Sequence, residues 1–116
     1  MNSHELAILA RTFRRQIIEF KTRSGHGHLA STLSLVDILV SLYLDPVTLF
    51  NPRQDVLLFG KAHGGPAVYP ILAKLNFFSE QELESYCEPQ GILRLHPDRT
   101  IPGCDYVGGS LGNAIG

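Results

Sequence analysis

Four histidines set among glycines and prolines are the residues of this 116-residue chain best suited to chemistry. His26 and His28 sit in Ser24-Gly25-His26-Gly27-His28-Leu29-Ala30-Ser31, His63 in Gly60-Lys61-Ala62-His63-Gly64-Gly65-Pro66, and His96 in Leu95-His96-Pro97-Asp98. All four precede a glycine-rich stretch, Gly108-Gly109-Ser110-Leu111-Gly112-Asn113. Imidazole gains or loses a proton near neutral pH and donates hydrogen bonds to phosphate. A neighbouring glycine lets backbone approach a ligand closely. No two histidines have the spacing of a zinc helix, although His26 and His28 are near enough to hold one metal weakly, as many exposed pairs are. Asp37 and Asp98 are the nearby carboxylates. Asp37 falls on the polar side of a helical pattern, where a solvated or capping role is expected, and neither is assigned a catalytic part.

The elements that must position these residues follow from hydrophobic spacing. Leu6, Leu9, Phe13, Ile17 and Phe20 recur at helical intervals, with Arg11, Arg14, Arg15 and Lys21 on other faces. This helix is expected to end near Ser24-Gly25, where glycine permits a left-handed closing residue. Leu35, Ile38, Leu39, Leu42 and Tyr43 predict a second helix, stopped by Pro46. Val56-Leu57-Leu58-Phe59 is short and continuously apolar, as a buried strand of a parallel sheet would be. A turn over 60–65 follows, and Pro66 fits the first turn of a helix carrying Ile71, Leu72 and Leu75. A strand, a glycine turn and a helix N-terminus together form a general receptor for phosphate, to which Lys61 could add a charge. Ser79-Glu80-Gln81-Glu82 predicts a capping box opening a short helix. From Cys87 onward the chain reads as loop, with Pro89, Pro97, Pro102 and six of the eleven glycines. Helix, helix, strand, loop and helix read as the opening of an α/β fold, helix-rich and incomplete, because one strand cannot make a sheet.

Composition narrows the function. A chain of this length is at most one domain, and 44% hydrophobic residues suffice for a core. The net charge of -1 gives no electrostatic case for nucleic acid or an anionic membrane. Apolar stretches are broken by Asp37, Ser41 and Asp45 before they reach the length of a membrane span, and the N-terminus lacks the order of a signal peptide. Cys87 and Cys104 read as two free thiols, and a cytoplasmic protein is expected.

Taken in order, these motifs resemble the start of transketolase, a thiamine diphosphate-dependent enzyme family, from about Arg14 to Gly116. Gly27-His28 followed nine residues on by Asp37 matches that family's substrate-channel pair, with Leu29-Ala30 where Pro-Gly is common. The variant is closer to the deoxyxylulose phosphate synthase branch. Gly60-Lys61-Ala62-His63-Gly64-Gly65-Pro66-Ala67-Val68-Tyr69 is similar to the family's Ser-Lys-Gly-His-Ala-Ala-Pro-Ala-Leu-Tyr, and is the most specific of the motifs. His96-Pro97-Asp98 resembles Gly-His-Pro-Asp with Leu95 in place of glycine, and Gly109-Ser110-Leu111-Gly112 resembles Gly-Ser-Leu-Gly-Gln-Gly with Asn113-Ala114 at its end.

The resemblance implies His28 and His96 as catalytic residues, and His63, Gly109, Ser110 and Leu111 as cofactor-binding residues. His26 has no assigned counterpart and is expected to be a solvated loop histidine. The implied cofactors are thiamine diphosphate and Mg²⁺, with the metal ligands outside this chain, because residues 1–116 form a partial domain ending before the family's Gly-Asp-Gly motif. The implied reaction is transfer of a two-carbon ketol unit between phosphosugars, as in the pentose phosphate pathway. It would require further sequence or a partner subunit, with a homo-oligomer as the complete form. Two alternatives stand beside it: another thiamine diphosphate branch, of the deoxyxylulose phosphate synthase or keto-acid-decarboxylating kind, and an inert truncated interaction module.

Overall fold

A computed structural model describes residues 2–27, 29–59 and 61–107. His28 and the stretch 108–116, with Gly109, Ser110 and Leu111, lie outside the described residues.

The chain opens with helix α1, Ser3–Ser24. Its first turn is held by a capping box: the Asn2 side chain accepts from the Glu5 amide at 2.9 Å, and the Glu5 carboxylate accepts from the Asn2 amide at 3.2 Å. It closes at Gly25, whose φ of 73° is left-handed and whose amide donates to the Lys21 carbonyl. The buried stripe is Ala10, Phe13, Ile17 and Phe20, with Leu6 and Leu9 packed at its margin. Lys21, expected on a polar face, is 5% exposed. It stands four positions after Ile17, so the stripe that buries Phe20 takes its neighbour inward too.

A short helix α2, Leu29–Leu33, leads into α3, Val36–Leu44. The buried face of α3 is Val36, Leu39, Val40 and Tyr43, while Ile38 is 64% exposed. The apolar stripe is thus turned by about one residue from the expected one. The helix is apolar nearly all round, so docking onto α1 selects the face, and an Arg14–Asp37 ion pair at 2.6 Å ties the two helices outside the core. Asp37 is thereby a surface partner of Arg14.

Strand β1, Leu58–Phe59, pairs in parallel with β2, Tyr106–Val107, in the register Leu58 to Tyr106 and Phe59 to Val107. The second strand lies in a stretch that sequence punctuation marked as loop. Its approach is fixed by the Asp105 carboxylate, which accepts from the Leu57 amide at 2.9 Å. The expected burial of this segment is not met at Val56, 66% exposed, or at Leu58, 48% exposed, whereas Leu57 packs toward the core. A strand is buried on both faces only when layers cover both, and the described residues cover the Leu57 side.

After β1 comes a 3-10 turn, Ala62–Ala67, and then α4, Val68–Lys74. Pro66 therefore sits inside the tighter turn and not at the first position of the α-helix. A second 3-10 turn, Glu80–Ser85, begins at Ser79, whose hydroxyl accepts from the Gln81 amide at 3.2 Å. The expected box is half made, and Glu82 does not complete it: its Oε2 is buried with no hydrogen-bond partner among the described residues. The tighter spacing of a 3-10 turn changes which amide the cap meets.

The core joins α1, α3 and α4 to the long loop that follows Ser85. Tyr69, Ile71 and Leu72 of α4 are wholly buried, and Tyr86, Leu93 and Ile101 close the core from the loop side. Phe20, Tyr69 and Tyr86 form a ring cluster, with Phe20 and Tyr86 centroids 4.5 Å apart and Phe20 and Tyr69 6.5 Å apart. The helix-rich part of the expected architecture is present.

Candidate functional site

His63 and His96 come together. Their rings lie 5.0 Å apart between centroids and cross at 67°, edge to face. His63 is exposed, and His96 is half-buried. The two side chains arrive from different directions, one on the 3-10 turn after β1 and one on the loop after Leu93, so only the packing of those segments makes them neighbours.

That packing depends on two glycines. A methyl group at Gly65 would stand 2.4 Å from Cδ of Pro97, beside His96. One at Gly64 would stand 2.5 Å from Cδ1 of Leu35 and 2.8 Å from the Ser31 carbonyl oxygen. Glycine at both positions lets the His63 turn press against α2 on one side and against the His96 loop on the other. The Thr32 hydroxyl, fully buried in α2, donates to the His63 carbonyl at 3.3 Å. Lys61 donates to the Ser34 hydroxyl at 3.0 Å, which directs its ammonium toward the junction of α2 and α3.

The His96 loop is held from below. The buried Tyr69 hydroxyl donates to the Arg94 carbonyl at 2.6 Å, and the Cys87 amide donates to the Leu93 carbonyl at 2.9 Å. Burial pushes the Tyr69 phenol far above its ordinary pKa, so it remains a donor across the usable pH range. Asp98 accepts from the Thr100 hydroxyl and from its amide, and pairs with Arg94 at 3.1 Å. The Thr100 hydrogen bond is the main cause that holds the Asp98 carboxyl below its ordinary pKa; the Thr100 amide and Arg94 add to it, and partial desolvation opposes them. Asp98 is a fixed anion that shapes the loop.

One sequence expectation changes here. The helix N-terminus was to follow directly on the glycine turn and receive phosphate. Instead the 3-10 turn intervenes and uses amides internally: Gly64 donates to the Lys61 carbonyl at 3.0 Å, and Val68 donates to Gly65 and Pro66 carbonyls. The anion-binding capacity of this corner therefore lies in side chains more than in free amides. The two adjacent imidazoles fit a phosphate or a polyhydroxylated ligand, while the Lys61 ammonium is engaged at Ser34. Among the described residues no group of three or more His, Cys, Asp or Glu side chains is placed to hold a metal ion, and no helix is long and apolar enough to cross a membrane.

Sequence reasoning missed the supports: Thr32, Tyr69, the Gly65–Pro97 contact and the buried Lys21. Only Lys21 carried a usable signal, its spacing from Ile17.

Comparison with known proteins gives these residues a setting. Residues 1–78 match the protein family described as 1-deoxy-D-xylulose-5-phosphate synthase. Over 112 residues the chain is 35% identical to a 6-deoxy-6-sulfo-D-fructose transketolase subunit of Clostridium sp. (strain MSTE9), covering 91% of this chain and 41% of that protein. It is 34% identical over 118 residues to an apulose-4-phosphate transketolase subunit of Actinobacillus succinogenes, covering 96% of this chain and 43% of that protein. With the transketolase of Mus musculus it shares 30% identity over 115 residues, 92% of this chain and 18% of the mouse protein. The chain thus spans about two fifths of the length of the two subunits it matches.

Proposed function

Since the chain belongs to the transketolase family of thiamine diphosphate-dependent enzymes, we propose that it contributes the His28, His63 and His96 side of an active site that transfers a two-carbon ketol unit between phosphosugars. The observation that carries this reading is the meeting of His63 and His96 rings at 5.0 Å from separate segments, with the Lys61 ammonium on the same turn as His63.

Thiamine diphosphate, when bound, supplies the nucleophilic carbon to which the ketol unit is passed. The residues of this chain do the rest of the local work. His63, exposed on its turn, donates to the diphosphate. His96, restrained by Pro97 and by the Tyr69 hydrogen bond below it, donates to hydroxyls of the donor sugar and can hold a proton there. His28 lines the donor's approach, and Gly109, Ser110 and Leu111 offer backbone groups and an apolar surface to the aminopyrimidine ring. Mg²⁺ belongs to the same proposal, with ligands drawn from beyond this chain. The share of the relatives' length that is matched, and the naming of two of them as subunits, support a requirement for further sequence or a partner chain. A cytoplasmic homo-oligomer acting in sugar phosphate metabolism completes the proposal.

A second reading has its own support. The family match over residues 1–78 and the Gly27-His28-Leu29-Ala30 variant favour a keto-acid-decarboxylating reaction of the deoxyxylulose phosphate synthase kind. The test is isotopic. The complete protein, with thiamine diphosphate and Mg²⁺, is given a ketose phosphate carrying ¹³C in its first two carbons and an aldose phosphate acceptor. Ketol transfer moves both labels into a lengthened ketose phosphate with no release of CO₂. Labelled CO₂ from a ¹³C-carboxyl 2-keto acid would establish the second reading. Neither product from cofactor-loaded protein would reject both and leave an inert interaction module.

A further inference from the structure

Between the end of α1 and the loop 87–95 lies a cluster of three titratable side chains, Lys21, Tyr86 and Cys87, that the proposed site does not use. The Lys21 ammonium donates to the Tyr86 hydroxyl at 3.4 Å and stands 5.6 Å from the centre of that ring. The Cys87 thiol lies beside the same phenol: burial raises the Tyr86 pKa, and the thiol adds to the rise. It is also near enough to Lys21 for the charges of the two groups to act on each other. An amine and a thiol thus flank one hydroxyl.

The two differ in access. Lys21 is 5% exposed and Tyr86 2%. A methyl group at Gly27 would stand 2.1 Å from Lys21 Nζ and 2.9 Å from the Tyr86 hydroxyl, so the turn after α1 covers both. Gly27 has a φ of 98°, which favours glycine at this contact. Cys87 is half-buried and lines a cavity of about 440 Å³ with His26, Glu88, Leu93, Arg94 and Leu95. A small neutral molecule can reach the sulfur through that cavity, whereas the amine stays behind its wall.

Among the described residues no carboxylate forms an ion pair with Lys21. Desolvation lowers its pKa, so its nitrogen offers a free lone pair more readily than that of a surface lysine. The other thiol is differently placed. Burial, then Asp105 and Asp98, push Cys104 up to about 12, which holds it protonated and unreactive. Cys87 has the Lys21 cation nearby, and the adjacent Glu88 carboxylate is engaged by the Gln90 side-chain amide at 2.6 Å. Thiolate is the form that oxidants attack, and a sulfenic acid so made condenses with a neighbouring nitrogen.

We propose that Cys87 and Lys21 are a peroxide-responsive pair that closes into a sulfenamide cross-link. In the first step the Cys87 sulfur attacks hydrogen peroxide; an S–O bond forms, the O–O bond breaks, and water leaves. Sulfur loses two electrons and the peroxide gains them. In the second step the Lys21 nitrogen attacks the sulfenic sulfur, and an S–N bond forms as the S–O bond breaks. The Tyr86 hydroxyl beside both gives its proton to the departing oxygen and takes one from the amine, so a second water is released. The cross-link ties the end of α1 to the loop that leads to His96, and its chemistry does not depend on the ketol-transfer reading.

Peptide mapping of the complete protein after mild treatment with hydrogen peroxide tests the pair, with no reductant in the digest. The expected product joins the peptides holding residues 21 and 87 at about 2 Da below their summed masses, two hydrogens having been lost, and dithiothreitol separates them. A Cys87–Cys104 disulfide loses the same mass, so the joined residues decide and not the mass. In Lys21→Met the sulfenic acid lacks its trap, and the Cys87 peptide should instead gain about 32 Da as sulfinic acid. If that variant does not fold, the native map decides alone. Cys87 found free, as sulfinic acid, or joined to any residue other than Lys21 in the native protein would overturn the proposal.

Discussion

At the scale of single residues, the site is defined by what cannot be enlarged as much as by what reacts. Gly65 faces Pro97 at a distance that leaves no room for a methyl group. Gly65→Ala should destabilise the protein by about 1–3 kcal/mol, the usual cost of overpacking a tight contact, and move His96 away from His63. Thermal unfolding measures the first effect, and weakened binding of thiamine diphosphate to the complete enzyme the second. An unchanged Tm would mean that the Pro97 loop yields freely. His96→Ala in the complete enzyme should lower kcat/KM with the donor sugar by about a hundredfold, within the range for a positioned acid–base group. Undiminished kcat/KM would take His96 out of the site. The histidines and glycines that frame this corner were legible in the sequence because their types are unusual outside binding loops. Their supports were not: a buried threonine and a tyrosine look alike in sequence whether they brace a loop or fill a core.

At the scale of elements, the ends of the helices are better specified than their faces. Gly25 closes α1 in the left-handed conformation, and a methyl group there would meet nothing within 4 Å. Gly25→Ala is thus a test of backbone conformation alone, with an expected loss of about 1 kcal/mol in urea unfolding. A much larger loss would reveal a contact that the turn makes in a larger assembly. The stop at Gly25 was readable because it depends on local chemistry. The face that α3 buries was not: Val36, Leu39, Val40 and Tyr43 were chosen over Leu35, Ile38 and Leu42 by contact with α1, and an all-round apolar helix offers several equivalent stripes. The 3-10 turn at 62–67 is a similar case, since glycines and a proline are compatible with several tight geometries.

At the scale of the whole molecule, the core binds the loop after Ser85 into the fold, and its buried titratable groups make stability depend on alkaline pH. Desolvation, then the nearby Asp105 and Asp98 carboxylates, push the Cys104 thiol from an ordinary 9.0 up to about 12. Its folded pKa is raised, so its stabilising share is complete below pH 9 and is lost as pH rises from there toward 12. Tyr43, Tyr69 and Tyr86 are shifted upward by burial as well and act in the same direction above their ordinary value of 10.0. Lys21 acts oppositely: burial lowers its pKa, so the cost of its charge is relieved as pH rises toward 10.5. Urea unfolding between pH 8 and 10 should show falling stability with a shallower slope in Cys104→Ala. Identical slopes in the two proteins would mean that the thiol is not desolvated in solution.

Sequence alone determined the family and the order of the histidine motifs, because each is a local pattern of residue types. It also determined the end of α1, whose period and closing glycine need no partner to be read. Tertiary structure decided which of those motifs meet. It brought His63 to His96 through Gly65 and Pro97, turned Lys21 inward behind Gly27, and made a parallel pair from Leu58–Phe59 and Tyr106–Val107. Contacts between distant segments depend on how whole faces pack, and packing energy belongs to pairs of surfaces that no single stretch of sequence contains.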